Sequence, residues 1–284
     1  MDTQWLNRAD ELLERLAVLL PPAPSVPDWT APAFRWRKGH SGRGWLEPIV
    51  APQSINLDDL LHIEPQRHEI ERNTRQFLSG KPANNVLLWG ARGSGKSSLI
   101  KALLTTYSEQ GLRLVEVDKQ DLLDLPDLLA PLRSRPERFI VFCDDLSFSA
   151  SEIGYQALKA ALDGSLTATP DNVVIYATSN RRHLLPEFHH DNQSAAVVDG
   201  ELHLGEASEE KLSLSDRFGL WLAFHPFSQD QYLQLVQHWL ARLGADPQAP
   251  LPERAALQWA LRRGSRSGRT AWQFACDWIG RSGD

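Results

Sequence analysis

The densest chemistry in the chain lies in eight consecutive residues, Gly90-Ala91-Arg92-Gly93-Ser94-Gly95-Lys96-Ser97. They fit the pattern G-x-x-x-x-G-K-[ST] without a deviation. Glycines at this spacing let successive backbone N–H groups turn inward around phosphate oxygens, and a helix starting at the end of the run adds the positive end of its dipole. Lys96 stands where an ammonium reaches the β and γ phosphates, and Ser97 where a hydroxyl holds Mg²⁺. The expected nucleotide contacts are Gly90, Ala91, Arg92, Gly93, Ser94, Gly95, Lys96, Ser97 and Ser98. A glycine-rich turn can match such a string by chance, but here apolar residues 86–89 read as a strand before it and a helical pattern follows from near Ser97.

The run Phe139-Ile140-Val141-Phe142-Cys143-Asp144-Asp145 reads as a buried strand that ends in two carboxylates. The C-terminal edge of a strand is where an α/β sheet places its ligand. Asp144 is expected to hold Mg²⁺ through water, and Asp145 stands in the place of a base that polarises the attacking water. An acidic turn after a core strand is the bland reading, and it weakens beside the phosphate loop. Cys143 is expected to be a packed core thiol. Residues 173–178 form another apolar run that leads to Ser179 and Asn180, so an amide would stand beside the carboxylates and orient water. Turn statistics alone favour an ordinary Asn there; order along the chain reverses that preference.

These residues need a scaffold. Residues 86–89, 112–117, 139–143, 173–178 and 220–224 are short β-rich runs alternating with helical patterns. Such alternation predicts an α/β fold with a parallel sheet covered by helices on both faces. After Phe227 three helices are signalled. The first opens with a Ser228/Gln231 capping box, the second is closed by Gly264, and the third starts at Ser267 or Thr270. Residues 3–20 read as one amphipathic helix, and the proline-rich stretch 21–52, with Trp29, Trp36 and Trp45, as an irregular arm. The expected division is an N-terminal helix and arm over residues 1–54, a nucleotide-binding α/β unit over 55–226 and a helical lid over 227–284.

With 284 residues the chain can bury a sizeable core. Its 30 basic against 36 acidic residues leave a net charge of −6, which excludes a general polycation for nucleic acid or acidic membranes. Only two cysteines occur, Cys143 and Cys276, both among apolar neighbours in the sequence, which argues against a disulfide scaffold and suits a reducing compartment. No apolar run is long enough to span a bilayer. Near the N-terminus Asp2, Asp10, Glu11 and Glu14 outweigh Arg8 and Arg15, unlike a signal peptide. The expectation is a cytoplasmic protein without membrane contact.

The order of these features, followed by Ser215-Asp216-Arg217-Phe218-Gly219 and a helical unit with Gly268-Arg269, resembles the AAA+ ATPases. More narrowly, PANNVLLWGARGSGKSSL, FCDDLSF, PDNVVIYATSNRRHLLPE and LSDRFGL look like a bacterial family of single-module predicted AAA+ ATPases of undetermined role, over about residues 55–282. The resemblance implies a five-stranded parallel P-loop NTPase sheet with a small all-helical lid. It also implies ATP and Mg²⁺ as ligands, and assembly into a ring or open homo-oligomer. It assigns Asn180 as sensor 1, Arg217 as the arginine finger offered to a neighbouring subunit, and Arg269 as sensor 2, with Arg266 competing for that role. A surface salt bridge for Arg217 and a solvated arginine face for Arg269 are the plain alternatives.

Two departures qualify the resemblance. Most AAA+ enzymes carry Glu after the Walker B Asp; Asp145 is one methylene shorter, which slows the expected chemistry. Residues 118–129, DKQDLLDLPDLL, lack the pore-loop aromatic of threading unfoldases, so a processive translocase is disfavoured.

Three further stretches bear on partners. Residues 195–204 carry a hairpin signal at Asp199-Gly200, a substrate-touching projection or a plain surface loop. His183, His189, His190 and His203 near Asp191 fit no standard metal spacing and read as solvated histidines. Residues 34–45 interleave Phe34, Trp36 and Trp45 with Arg35, Arg37, Lys38 and Arg43; such a stretch can stack bases and neutralise phosphates, or lay its own cations over its own tryptophans. The favoured expectation is a Mg²⁺-dependent ATPase that remodels an unidentified macromolecule. The alternatives are a nucleotide-gated interaction module with little turnover and a DNA-associated loader.

Overall fold

The computed structural model describes residues 27–39, 42, 44–147, 153–163, 169–181, 196–198, 201–203, 216–246 and 249–281. The main sheet has seven strands: β1 (Ala33–Lys38), β2 (Gly44–Ile49), β3 (Val86–Gly90), β4 (Leu112–Glu116), β5 (Arg138–Cys143), β6 (Val173–Ser179) and β9 (Leu220–Phe224). Their order is β2-β1-β4-β5-β6-β3-β9, and every neighbouring pair is parallel except β1 with β2. A separate antiparallel pair, β7 (Ala196–Val198) with β8 (Glu201–His203), forms at the expected hairpin.

The expectation of five strands is therefore corrected to seven. The two added strands come from the stretch read as an irregular arm. Its prolines dominate the composition, yet residues 33–38 place Phe34 and Trp36 two apart, which is strand spacing. Those rings are 0% and 3% exposed and pack in the core. Arg35, Arg37 and Lys38 pair with Glu116, Glu47 and Asp124. The stacking reading of the arm thus loses two of its three aromatics to the core, while Trp45 stays 41% exposed. Residues 1–26, with the expected N-terminal helix, lie outside the described residues.

Strand alternation divides the core in two. Phe139, Val141 and Cys143 of β5 and Val173, Ile175 and Ala177 of β6 join one cluster; Ile140, Phe142, Val174 and Tyr176 join the other. Both faces are covered, so the strands read as continuous apolar runs. The second face is packed by α1 (Glu64–Leu78) and α2 (Lys96–Tyr107), through Ile70, Phe77, Leu99, Ile100 and Leu103. The first is packed by α3 (Leu125–Leu129) and by Leu158 of α4 (Ile153–Asp163).

The helical unit consists of α5 (Gln229–Arg242), α6 (Glu253–Arg263) and α7 (Gly268–Arg281). The capping box is present: Ser228 Oγ accepts from Gln231 N–H at 3.2 Å, and Gln231 Oε1 accepts from Ser228 N–H at 2.9 Å. Gly264 ends α6 in the left-handed conformation at φ 65°, and Ser267 Oγ accepts the Thr270 N–H at 3.2 Å. Buried Tyr232, Leu235 and Val236 continue the α1–α2 cluster into this unit, and Trp239 meets Trp272 edge-on at 4.8 Å between α5 and α7. Cys143 is buried, as expected; Cys276 is exposed on α7 and is not the apolar-packed thiol its neighbours suggested. Among the described residues no helix is long and apolar enough to cross a membrane.

Candidate functional site

The phosphate loop connects the end of β3 to the start of α2, and its glycines are required by conformation. Gly90, Gly93 and Gly95 have φ of 127°, 71° and 101°, where side chains are disfavoured. A Cβ on Gly90 would lie 2.0 Å from the Phe224 carbonyl oxygen of β9, and one on Gly93 would lie 2.8 Å from Ser267 Oγ. The loop is anchored on β9 by the Ala91 N–H donating to Phe224 O at 2.9 Å, and Ser94 Oγ donates to Ala91 O at 2.8 Å. Ser98 lies in the first turn of α2, and Arg92 is exposed at the loop's outer side.

Lys96 is the first residue of α2 and is only 6% exposed. Its ammonium donates to Gly90 O at 2.9 Å, Ala91 O at 2.7 Å and Asn180 Oδ1 at 3.2 Å. Burial pulls its pKa below the ordinary lysine value; Asp144 and Asp145 oppose that pull, and Arg92 and Arg269 add to it. An ammonium so held can exchange carbonyl acceptors for phosphate oxygens without first being desolvated.

The next residue reaches the end of β5. Ser97 Oγ donates to Asp144 Oδ1 at 2.6 Å. The same carboxylate oxygen accepts from Thr178 Oγ1 of β6 at 2.5 Å. Asp145 leaves the strand with a left-handed φ of 51°; its N–H donates to Thr178 Oγ1 at 2.9 Å and its carboxylate accepts from Asn180 Nδ2. The sequence-expected residues Lys96, Ser97, Asp144, Asp145 and Asn180 are thus brought together. Thr178 was not among them. Its signal was its place at the end of the apolar run 173–178, two residues before Asn180.

The helical unit meets the loop directly. Gly268 N–H donates to Gly93 O at 3.0 Å, and Arg269 Cβ would lie 3.3 Å from a Cβ on Gly93. Arg266 lines a cavity of ≈ 340 Å³ between Ala91, Arg92 and Ser94, the Pro226-Phe227 pair and residues 264–266. Both arginines therefore stand at the loop, Arg269 over Gly93 and Arg266 at the cavity. Arg217 is elsewhere. It precedes β9, whose first residue Leu220 pairs with Val86, whereas the phosphate loop leaves β3 from Gly90, paired with Phe224. Arg217 therefore lies toward the starting ends of these neighbouring strands, whereas the loop carrying Lys96 leaves from their finishing ends.

Hydroxyl and carboxylate oxygens at Ser97 and Asp144 are the hard donors that Mg²⁺ prefers, and the glycine turn is a cradle that side chains would fill. The residues fit a magnesium nucleotide. Among the described residues no group of three or more His, Cys, Asp or Glu gathers as a metal site. His183, His189, His190 and Asp191 lie outside the described residues, and His203 is described only as part of β8.

The fold has counterparts among solved structures. The RuvB Holliday junction branch migration motor of Thermotoga maritima is 16% identical over 79% of this chain and 63% of its own, with a TM-score of 0.48. Two substituted forms of that RuvB, each 14% identical and covering 79% of this chain, superpose with a TM-score of 0.50; 64% and 63% of their own lengths are covered. This chain spans less than two thirds of each of these three RuvB chains, and the likeness is one of fold alone. No curated protein sequence matches. Residues 29–282 match the family described as "Protein of unknown function (DUF815)", and with nearly the whole chain covered the protein belongs to that family.

Proposed function

We propose that this protein binds ATP with Mg²⁺ and hydrolyses it at interfaces between its own copies, using lid movement to remodel a macromolecular partner in the cytoplasm. The observation that carries the reading is the 2.6 Å approach of Ser97 Oγ to Asp144 beside the buried ammonium of Lys96. A hydroxyl, a carboxylate and an ammonium converging on a glycine turn suit a triphosphate and little else.

The roles follow from position. The amides of the loop and of the α2 N-terminus bind phosphate oxygens, and Lys96 trades Gly90 and Ala91 carbonyls for the β and γ phosphates. Ser97 and Asp144 would hold magnesium, which when bound neutralises phosphate charge. Asp145 accepts the hydrogen bond of the attacking water, and Asn180, joined to both Lys96 and Asp145, aligns that water with the γ phosphate. Arg269 and Arg266 bring the lid's charge to the nucleotide. Arg217, before the starting end of β9, serves a neighbouring copy's site, where its guanidinium neutralises transition-state charge.

Phosphate release per subunit is expected to rise with protein concentration and to vanish in Lys96→Ala. Release that is independent of concentration and unaffected by Arg217→Ala would overturn the shared-site part of the reading. A second reading, a nucleotide-gated module with little turnover, is favoured by the engagement of the short Asp145 carboxylate with Asn180. Single-turnover chase separates them: bound ATP that survives for hours selects the switch, and hydrolysis within minutes selects the enzyme.

A further inference from the structure

We infer that Thr178 is a positioning residue that sets both carboxylates of the site from the neighbouring strand, an inference that rests on the nucleotide reading above. Thr178 is 1% exposed near the end of β6. It binds three consecutive residues after β5. Its hydroxyl donates to Asp144 Oδ1 at 2.5 Å and accepts the Asp145 N–H at 2.9 Å, while its carbonyl accepts the Leu146 N–H at 2.6 Å.

The hydroxyl does what no apolar isostere can. It has one hydrogen to donate and lone pairs to accept with, and each is assigned to a different aspartate. Toward Asp144 it fixes the carboxylate that also receives Ser97. Toward Asp145 it holds a backbone N–H in a residue whose φ of 51° is costly for a side chain bearing a Cβ. Such a conformation persists only where surrounding contacts over-determine it. Thr178 near the end of β6 and Asn180 just after it supply those contacts: one holds the Asp145 backbone and the other its carboxylate. Consecutive strand residues point to opposite faces, so Asp145 can join Asp144 on the nucleotide side only by leaving the extended conformation.

The test compares Thr178→Val, which keeps the shape and removes the hydroxyl, with Thr178→Ser, which keeps the hydroxyl. Binding of Mn²⁺ in the presence of ADP is read by electron paramagnetic resonance, ADP binding in EDTA by fluorescence, and the Asp145 amide by hydrogen exchange. The Val variant is expected to lose about 10-fold in Mn²⁺ affinity and about 10-fold or more in kcat, the scale of a hydrogen bond to a charged group, with metal-free ADP affinity unchanged. Its Asp145 amide should exchange faster, and Ser should restore all three readouts. Should the Val variant not fold, Thr178→Ala carries the same comparison. Unchanged Mn²⁺ affinity and amide protection in Val, or a Ser variant as impaired as Val, would overturn the inference. If the wild type itself binds no nucleotide with metal, the functional reading fails, and amide exchange still decides whether Thr178 holds the turn.

Discussion

The Ser97 hydroxyl donates to the Asp144 carboxylate at 2.6 Å, joining the first turn of α2 to the C-terminal end of β5 across 47 positions of chain. The contact follows from the sheet: β5 and β3 flank β6 with β6 between them, and α2 crosses the face that Phe142 and Tyr176 share. Neither residue is deeply buried, so the pair is available to a ligand.

Removing that hydroxyl should separate metal binding from folding. Ser97→Ala is expected to weaken Mg²⁺ affinity in nucleotide binding by about 10-fold while changing stability by less than about 1 kcal/mol, as for a partly exposed hydrogen bond. Calorimetric titration of ADP at stepped Mg²⁺ measures the first and urea unfolding the second. A variant with wild-type Mg²⁺ dependence would remove Ser97 from the metal site.

Two glycines with left-handed backbones should respond very differently to alanine. At Gly90 a Cβ would lie 2.0 Å from the Phe224 carbonyl oxygen, so Gly90→Ala combines backbone strain with a collision and should cost more than about 3 kcal/mol. At Gly264 a Cβ would meet open space, and Gly264→Ala should cost only about 1 kcal/mol of backbone strain. Urea midpoints compare the two, and equal losses would contradict the close approach of β9 to the loop.

The buried ammonium predicts a pH dependence with a definite sign. Burial lowers the Lys96 pKa below 10.5 in the folded protein, so the unfolded chain holds that proton more tightly. Stability contributed at this position must therefore rise with pH in the window below 10.5, where the folded state has begun to release the proton and the unfolded has not. Measured from about pH 8 upward, the stability of wild type relative to Lys96→Met should increase and then level off. A difference that falls with pH would be inconsistent with a desolvated lysine.

The two thiols should be distinguishable in the native state. Cys143 is 1% exposed and burial pushes its pKa up to about 12, whereas Cys276 is exposed on α7. A thiol reagent at mildly alkaline pH should label Cys276 alone, with Cys143 reacting only after denaturation. Peptide mass spectrometry reads the outcome, and rapid native labelling at Cys143 would contradict its packing.

Arg217 and Lys96 lie at opposite ends of the neighbouring strands β9 and β3, which makes a mixing experiment decisive for the proposed assembly. Arg217→Ala and Lys96→Ala should each be inactive alone. Mixed in equal amounts they should regain up to roughly a quarter of the wild-type rate, because some interfaces then combine an intact loop with an intact arginine. No recovery in mixed oligomers would place Arg217 outside the shared site.

Much of the site was legible because its parts are local. The glycine spacing before Lys96 and Ser97 encodes a backbone path, and the apolar run ending at Asp144 encodes a strand edge. Asn180 needed only the alternation of one further strand. Thr178 is not legible because a buried threonine in an apolar β run is indistinguishable in sequence from one chosen for strand propensity; its value comes from which aspartates the next strand places opposite it. Phe34 and Trp36 were misjudged for the converse reason. Prolines nearby signalled irregularity, while the edge of β4, 81 residues away in the pairing of Ala33 with Leu114 and its neighbours, offered a template for an added hairpin.

From the chain alone came the phosphate loop, the paired carboxylates, the alternation that demands a parallel sheet, and the three helices that follow it, because each is set by residue order over a dozen positions or fewer. Which strands become neighbours is a different kind of fact, since it depends on long-range burial that no local window contains. Only the folded sheet placed Thr178 between Asp144 and Asp145, set the α7 N-terminus on Gly93, and put Arg217 before the starting end of β9, opposite the end of β3 from which the phosphate loop leaves.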